Sequence, residues 1–242
     1  MLKNSTSILC TASVGEEMIH LAASKNIRLE VIPFIEVKWV NESIVTQKVL
    51  AYAKQEIVVI FTSVQGVESV VHKLHSQKPH WRIACTSGKT ERKVADYFGT
   101  HRIAATANNA SELAKKILDL GVGEAVFFCG NSRRDELPDI LKNGNVALTE
   151  LVVYETMATP VHVTKRYDGI LFFSPSAIKS FFSVNKLTSK TVLFAIGETT
   201  KESLVEFKDH KIISIDQPNK EDLVRLALQY FETPVDPMTQ KF

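Results

Sequence analysis

Long apolar runs are missing from this chain of 242 residues. No stretch approaches the roughly 18 uninterrupted apolar residues that a membrane-spanning helix needs. The first ten residues, MLKNSTSILC, contain no apolar segment followed by a small-residue cleavage site, so we expect no secretory signal. These absences predict a cytoplasmic protein without a membrane partner, and they disfavour a periplasmic solute receptor.

An excess of charge of one sign is also missing. Lys and Arg together number 29 and Asp and Glu 27, which gives a formal net charge of +2. Such a balance provides no basic surface for the phosphates of DNA or RNA, so we expect no nucleic-acid partner. Cysteine is scarce, and Cys10, Cys85 and Cys129 form no CxxC pair. Because each lies in or beside an apolar run, we expect buried thiols in a reducing compartment.

Several catalytic motifs are missing as well. The segment CTSGKT ends like a phosphate-binding P-loop, but Ile83 stands where that motif needs its first glycine. Ser174 lacks the flanking glycines of a hydrolase nucleophile elbow, and the chain has no GxGxxG fingerprint. His72, His75 and His80 lack the cysteine or carboxylate company of a metal site, so we interpret them as solvated. No metal and no cofactor are expected.

What the chain does contain is an alternation of short β-type runs with amphipathic segments of about 10 to 15 residues. This alternation is typical of βαβ units and predicts an α/β fold with mainly parallel sheets. Strands are predicted near Ile8–Cys10, Arg28–Glu36, Ile57–Thr62, Trp81–Ala84, Ala125–Cys129, Ala147–Tyr154, Gly169–Phe173 and Val192–Ile196. Helices are predicted near Glu16–Ser24, Gly66–Ser76, Glu91–Phe98, Ala110–Leu120, Arg134–Lys142, Ala177–Asn185, Lys201–Phe207 and Lys220–Phe231.

Some segments of the chain repeat each other. IVVIFTSVQGVESVV and GILFFSPSAIKSFF each lead from an apolar strand through a serine, Ser63 or Ser174, into a helical segment. A glycine that again separates a strand from a helix follows 25 residues after Ser63 and 23 after Ser174, at Gly88 and Gly197. A spacing of 24 residues also recurs, from Cys10 to Phe34 and from Cys129 to Val153. We interpret the chain as an internal duplication of one α/β half.

The turns between these strands and helices could bind an acidic ligand. Ligands of parallel α/β sheets lie beyond the carboxyl ends of the strands, where helix N-termini present free N–H groups. N-cap positions are predicted for Ser63, Thr90, Asn131, Ser174 and Thr199. Each cap could instead serve only its helix, at about 1 kcal/mol. Arg133 and Arg134 leave two alternatives open, carboxylate binding or salt bridges to Asp135 and Glu136.

The segments FFCGNSRRDELPDILKNGNVALTELVVYET, FFSPSAIKSFF and FAIGETT follow one another in an order and spacing that resemble the uroporphyrinogen-III synthase family. FTSVQGVE matches as well, so the resemblance spans nearly the whole chain. It implies two α/β domains joined by a two-stranded connector, with the active-site cleft between them. On this sequence the domains would be 1–36 with 160–242, and 40–154, with connector strands at 37–39 and 155–159.

The resemblance also implies an enzyme, a hydro-lyase that cyclises hydroxymethylbilane to uroporphyrinogen III with inversion of ring D through a spiro intermediate. The linear substrate closes unaided to the symmetrical type I isomer, so such an enzyme works by orienting it, with acid assistance to the leaving hydroxyl. Tyr154, in VVYET, occupies the position of the family's tyrosine and is the predicted catalytic residue. The predicted substrate-binding residues are Thr11, Ser63, Thr90, Gly130, Asn131, Arg134, Ser174, Ser176, Gly197, Thr199 and Thr200.

The sequence departs from the family pattern at two turns. Thr11-Ala12-Ser13 replaces a frequent Thr-Arg-Pro, and Gln65 replaces an arginine of some relatives. Lys201 could supply a compensating cation. A non-catalytic module that binds a polycarboxylate or tetrapyrrole therefore stays an alternative. We expect a monomer whose partner is its small-molecule substrate, and a transient contact with the preceding enzyme of the pathway stays open.

Overall fold

The computed structural model describes residues 6–187, 190–207, 209–215 and 219–232. It has a mixed α/β fold with parallel sheets, as the alternation predicts. The strands are β1 Thr6–Cys10, β2 Ile27–Val31, β3 Ile35–Trp39, β4 Val58–Phe61, β5 Arg82–Thr86, β6 Ile103–Ala107, β7 Glu124–Gly130, β8 Ala147–Ala158, β9 Gly169–Phe172, β10 Val192–Ala195 and β11 Ile212–Ser214. The helices are α1 Glu16–Ser24, α2 Ser43–Tyr52, α3 Val64–Lys73, α4 Lys89–Phe98, α5 Ala110–Asp119, α6 Glu136–Asn143, α7 Pro175–Phe182, α8 Glu198–Glu202 and α9 Lys220–Glu232, with a 3-10 turn at Thr100–Arg102.

Several elements differ from the predicted pattern. The predicted strand Arg28–Glu36 is two strands, β2 and β3, because Pro33 has no N–H to donate and interrupts the run. Helix α2 and the short strands β6 and β11 were not predicted, since the apolar residues of α2 form only a weak helical stripe and the two strands are too short for a clear alternation. Helix α8 begins at Glu198 and ends at Glu202, earlier than the predicted Lys201–Phe207.

The chain divides into two compact units. The first unit takes its residues from 1–36 and 157–242, and the second unit is 37–156. Both changes of unit fall within strands, β3 and β8, where the sequence predicts the connector. The predicted limits of independent domains, 1–36 with 160–242 and 40–154, stay a prediction.

The two units share one strand order. The five-stranded sheet runs β11-β10-β9-β1-β2, and five strands of the six-stranded sheet run β6-β5-β4-β7-β8 in the same sense, with β3 added beside β8. All pairs within these two series are parallel. In chain order, β1 therefore pairs with the late strand β9, while β7 pairs with the earlier strand β4. Ancestral duplication stays a prediction, but the topology has the symmetry that it would leave.

Each sheet is covered by apolar side chains on both faces. In the second unit one core cluster lies under α2, α3 and α4 and the other under α5 and α6. The predicted burial of the three thiols is confirmed, because Cys10, Cys85 and Cys129 are all buried and free. Burial raises the pKa of Cys10 and Cys85 to about 12 and that of Cys129 to about 11, so these thiols remain protonated and unreactive.

Candidate functional site

Tyr154 owes its direction to an irregularity in strand β8. Strands β7 and β8 pair Cys129 with Val152 but Gly130 with Tyr154, so Val153 is the extra residue of a β-bulge. Side chains of a regular strand alternate between faces, and a bulge shifts that alternation by one residue. Here Val153 and Tyr154 both pack with the cluster under α3, whereas Val152 packs with the opposite one. The bulge therefore turns the phenol toward the N-terminus of α3.

The N-cap of α3 meets the Tyr154 phenol. Ser63 Oγ accepts a hydrogen bond from Gly66 N–H at 3.1 Å, which confirms the predicted cap. The Ser63 hydroxyl is also hydrogen-bonded to Tyr154 and lowers the pKa of the phenol, but burial raises that pKa more. The pKa of Tyr154 is therefore above its usual value of 10.0. At neutral pH the group is a protonated phenol that can donate a proton.

Gly130, at the end of β7, leaves room for the Tyr154 ring. A Cβ atom added there would lie 2.5 Å from Cζ of Tyr154 and 2.8 Å from its hydroxyl oxygen. Only a residue without a side chain allows this approach. The glycine and the bulge thus fix the place of the phenol together.

Asn131 is not a helix cap, contrary to the prediction. Its Oδ1 accepts a hydrogen bond from Thr156 N–H at 2.9 Å, and its own N–H donates to the Tyr154 carbonyl at 3.3 Å. Helix α6 begins only after Asp135, because residues 131–135 form a turn. Asn131, at the end of β7, is therefore hydrogen-bonded to the two residues of β8 that flank Glu155.

The two arginines of that turn differ. Arg133 is ion-paired with Asp135 and Glu150, and one of its nitrogens donates to Glu150 Oε1 at 2.9 Å. This is the salt-bridge alternative. The Arg134 side chain is half exposed, and its ion pair with a Glu136 oxygen, at 3.6 Å, is long. Its guanidinium can therefore still reach a ligand.

The predicted caps at Thr90 and Thr199 are also wrong. Helix α4 is preceded by Gly88, with φ of +82°, and α8 by Gly197, with φ of +87°. Glycine occupies these N-caps because a positive φ is strained for other residues. Thr90 lies inside the first turn and is buried, and Thr199 is half-buried within α8. Thr200, the next residue, is buried as well.

In the first unit the predicted cap at Ser174 is confirmed. Ser174 Oγ accepts from Ala177 N–H at 3.1 Å, and Pro175 is the first residue of α7. Ser176 is half-buried in the first turn. Thr11, just after β1, is fully buried, and its hydroxyl donates to the Leu171 carbonyl at 2.8 Å. Its side chain is thus occupied within the sheet.

The site residues therefore form one group in each unit, at or near the carboxyl ends of adjacent strands. In the second unit Ser63 follows β4, Gly130 ends β7, Asn131 follows it, and Tyr154 lies within β8 opposite Gly130. In the first unit Thr11, Ser174 and Gly197 follow β1, β9 and β10. The sequence missed two residues of α3: Ser69, which bonds to the bulged part of β8, and Lys73, which bonds to Ser69. A lysine on the apolar face of a helix, four residues after a serine, was the available signal.

The described residues contain neither a metal-binding cluster nor a membrane-spanning helix. In those ranges, no three His, Cys, Asp or Glu side chains gather in a way that could hold a metal ion. The His72 ring lies 5.1 Å from that of Trp39 and 6.5 Å from that of His75. None of the helices in the described parts is both long and apolar enough to span a membrane.

Comparison with known proteins gives consistent matches. A family model described as uroporphyrinogen-III synthase HemD matches residues 16–225. A crystal structure of a mutant uroporphyrinogen III synthase from the extremely thermophilic bacterium Thermus thermophilus superposes with a TM-score of 0.69 at 14% identity, covering 93% of this chain and 98% of that one. The uroporphyrinogen-III synthetase of Helicobacter pylori gives 0.63 at 15% identity, with 93% and 99% covered. These two likenesses support the fold. No curated protein sequence matches the chain.

Proposed function

The chain belongs to the uroporphyrinogen-III synthase family, lyases of haem biosynthesis, and we propose that its Tyr154 is the proton donor of the reaction. The reaction dehydrates and cyclises hydroxymethylbilane. Loss of the ring A hydroxyl as water needs a proton, and a phenol that is still protonated at neutral pH can supply it. The carrying observation is the Tyr154 hydroxyl itself, half-buried, bonded to Ser63 and packed over Gly130.

The substrate is a small tetrapyrrole with many carboxylates, and the turns are suited to bind them. Backbone N–H groups at helix N-termini attract anions, and the caps of α3 and α7 place such groups beside the ends of β4 and β9. Arg134 adds a cation. We assign substrate contacts to Ser63, Thr90, Gly130, Asn131, Arg134, Ser174, Ser176, Gly197, Thr199 and Thr200, with Thr11 supporting the turn after β1.

Not every residue in this set would contact the substrate through its side chain. Thr90 and Thr200 are buried, and the Asn131 amide is occupied by Thr156. Such residues would act by shaping the turns and aiming their N–H groups. The proposal includes a monomer that acts in the cytoplasm without metal or cofactor.

The test supplies hydroxymethylbilane and resolves the type I and type III products. We expect type III product from the parent protein and a fall in kcat of roughly a hundredfold for Tyr154→Phe, because general acid catalysis contributes at least that much. Tyr97→Phe is the matched control, since Tyr97 is also a partly buried phenol, donating to the Gln77 carbonyl at 3.2 Å. Parental kcat in Tyr154→Phe would exclude the acid role. Type I product alone from the parent protein would favour the non-catalytic module.

A further inference from the structure

Helix α3 carries a lysine that is almost completely buried. Lys73 is 2% exposed, and its ammonium donates a hydrogen bond to Ser69 Oγ at 2.9 Å. Burial lowers the pKa of Lys73 from its usual 10.5. Lysine is rarely buried unless it has a partner, and an apolar side chain would cover the same surface at a lower cost in desolvation. The position of Lys73 therefore calls for a reason beyond packing.

Ser69 connects this lysine to strand β8. The Ser69 hydroxyl donates to the Val153 carbonyl at 2.6 Å, and Ser69 is itself fully buried. An ammonium group has only donors, so Ser69 Oγ must accept from Lys73 in its charged form. The single hydroxyl proton of Ser69 is then directed at Val153. Lys73 thus determines the direction of both hydrogen bonds: Lys73 donates to Ser69, and Ser69 donates to the Val153 carbonyl.

That carbonyl belongs to the bulged residue next to Tyr154. Val153 O also accepts from Val40 N–H at 3.0 Å, so both of its lone pairs are used. A bulge interrupts the regular ladder and needs other contacts to stay in place. Helix α3 and its N-cap are therefore bonded to β8 at two places. Ser69 bonds to the Val153 carbonyl at the bulge, and the N-cap Ser63 bonds to the Tyr154 phenol.

The first unit shows the same serine without this arrangement. Ser180 lies six residues after the cap Ser174, as Ser69 lies six after Ser63. Ser180 is buried, yet its Oγ has no hydrogen-bond partner among the described residues. Val184 stands where α3 has Lys73, and β1 pairs with β2 without a register shift from Thr6 to Cys10. The bonded serine, the lysine, the bulge and the tyrosine occur together.

We propose that Ser69 and Lys73 are positioning residues for Tyr154, which hold the Val153 carbonyl and thereby the bulge that directs the phenol to Ser63. Neither residue needs to touch the substrate. The proposal rests on the proposed acid role of Tyr154 for its effect on turnover, but its effect on the place of the phenol is independent of that role.

The test compares Ser69→Ala with its counterpart Ser180→Ala. For Ser69→Ala we expect kcat to fall about tenfold with KM changed less than about twofold, since a misplaced acid slows the chemical step rather than binding. Because the Ser63 bond lowers the pKa of Tyr154, loss of that bond should raise it. The second readout is therefore the ¹³C resonance of Cζ-labelled tyrosine against pH, with Tyr154 assigned by its absence in Tyr154→Phe. Ser180→Ala should leave both readouts parental, and Ser69→Thr should restore them.

Parental kcat together with a parental Tyr154 titration in folded Ser69→Ala would overturn the proposal. If Ser69→Ala does not fold, Lys73→Met takes its place, with a smaller change in the same direction expected and the same overturning result. If Tyr154→Phe keeps parental kcat, the acid role fails, and the Tyr154 titration alone then decides whether Ser69 positions the phenol.

Discussion

The two units of this protein share a strand order and a serine cap but differ in the side chains around them. Strands β1 and β7 correspond, and each contains one cysteine; the residue after it is Thr11 in the first unit and Gly130 in the second. The Thr11 side chain occupies the space at the end of β1, where its hydroxyl bonds to the Leu171 carbonyl. Gly130 has no side chain, so the Tyr154 ring occupies the corresponding space at the end of β7. The same strand order thus places a buried threonine at the strand end in one unit and a phenol there in the other.

The comparison also separates topology from chemistry. Ser63 and Ser174 cap α3 and α7 in the same way, at 3.1 Å from the third residue after the cap. Only Ser63 also meets a tyrosine. If the second unit is specialised for proton donation, substitutions at matched positions should have similar effects on stability and unlike effects on turnover.

The largest expected effect is that of Gly130→Ala. The new methyl group would displace the Tyr154 ring, which lies within 2.5 Å of it. We expect kcat to fall about a hundredfold, close to the loss in Tyr154→Phe, and the double variant to be no slower than either single one. Steady-state assays on the three proteins measure this. Gly123→Ala, where the added Cβ meets nothing within 4 Å, is the control and should stay near parental kcat. Additive losses in the double variant would contradict it.

The second prediction compares Ser63→Ala with Ser174→Ala. Each substitution removes an N-cap and should lower the free energy of unfolding by about 1 kcal/mol, measured by denaturant titration. Only Ser63→Ala should also raise the pKa of Tyr154, because the hydrogen bond from Ser63 lowers it. We expect it to slow turnover severalfold more than Ser174→Ala. Equal losses of turnover in the two variants would contradict the claim that only the second unit is specialised for proton donation.

The third prediction concerns the buried cation of α3. The folded state lowers the pKa of Lys73, so charge burial costs stability at neutral pH, and this cost is relieved as the pH rises toward 10.5. Lys73→Met should therefore be more stable than the parent at pH 7, by about 1 kcal/mol, although it is slower. The difference should shrink between neutral pH and pH 10.5.

Lys93→Met is the control for that pH dependence. The bond to Glu68 raises the pKa of Lys93, so this lysine stabilises the fold below 10.5 and loses its effect above it. Thermal unfolding across the alkaline range distinguishes the two signs. If the stability advantage of Lys73→Met over the parent grew with pH, burial of the Lys73 charge would not be what destabilises the parent.

The smallest expected effect is that of Lys201→Glu in the first unit. Lys201 lies 3.2 Å from a Glu198 oxygen on the same helix and remains partly exposed. If it also attracts a substrate carboxylate, the charge reversal should raise KM about two- to threefold with kcat unchanged. Lys179→Glu, on the exposed face of α7, is the control. An unchanged KM would remove Lys201 from the substrate contacts.

Local features of the site were predictable. A serine between a strand and a helix caps that helix through an N–H three residues away, so Ser63 and Ser174 could be recognised from neighbouring residues alone. The same local reasoning failed at Thr90 and Thr199, because Gly88 and Gly197 adopt positive φ angles and begin their helices earlier. Short strands such as β6 were missed because their pairing partners, not their own periodicity, stabilise them.

By itself, then, the sequence determined the α/β class, the buried thiols, two caps and, through family resemblance, the tyrosine to examine. These follow from the hydrophobic periodicity and from contacts within a few residues. The tertiary structure decided which way Tyr154 points, why Gly130 is a glycine and what Lys73 contacts. Each of these depends on the register between β7 and β8 and on the packing of α3 against them, and strand register is set by residues far apart in the chain.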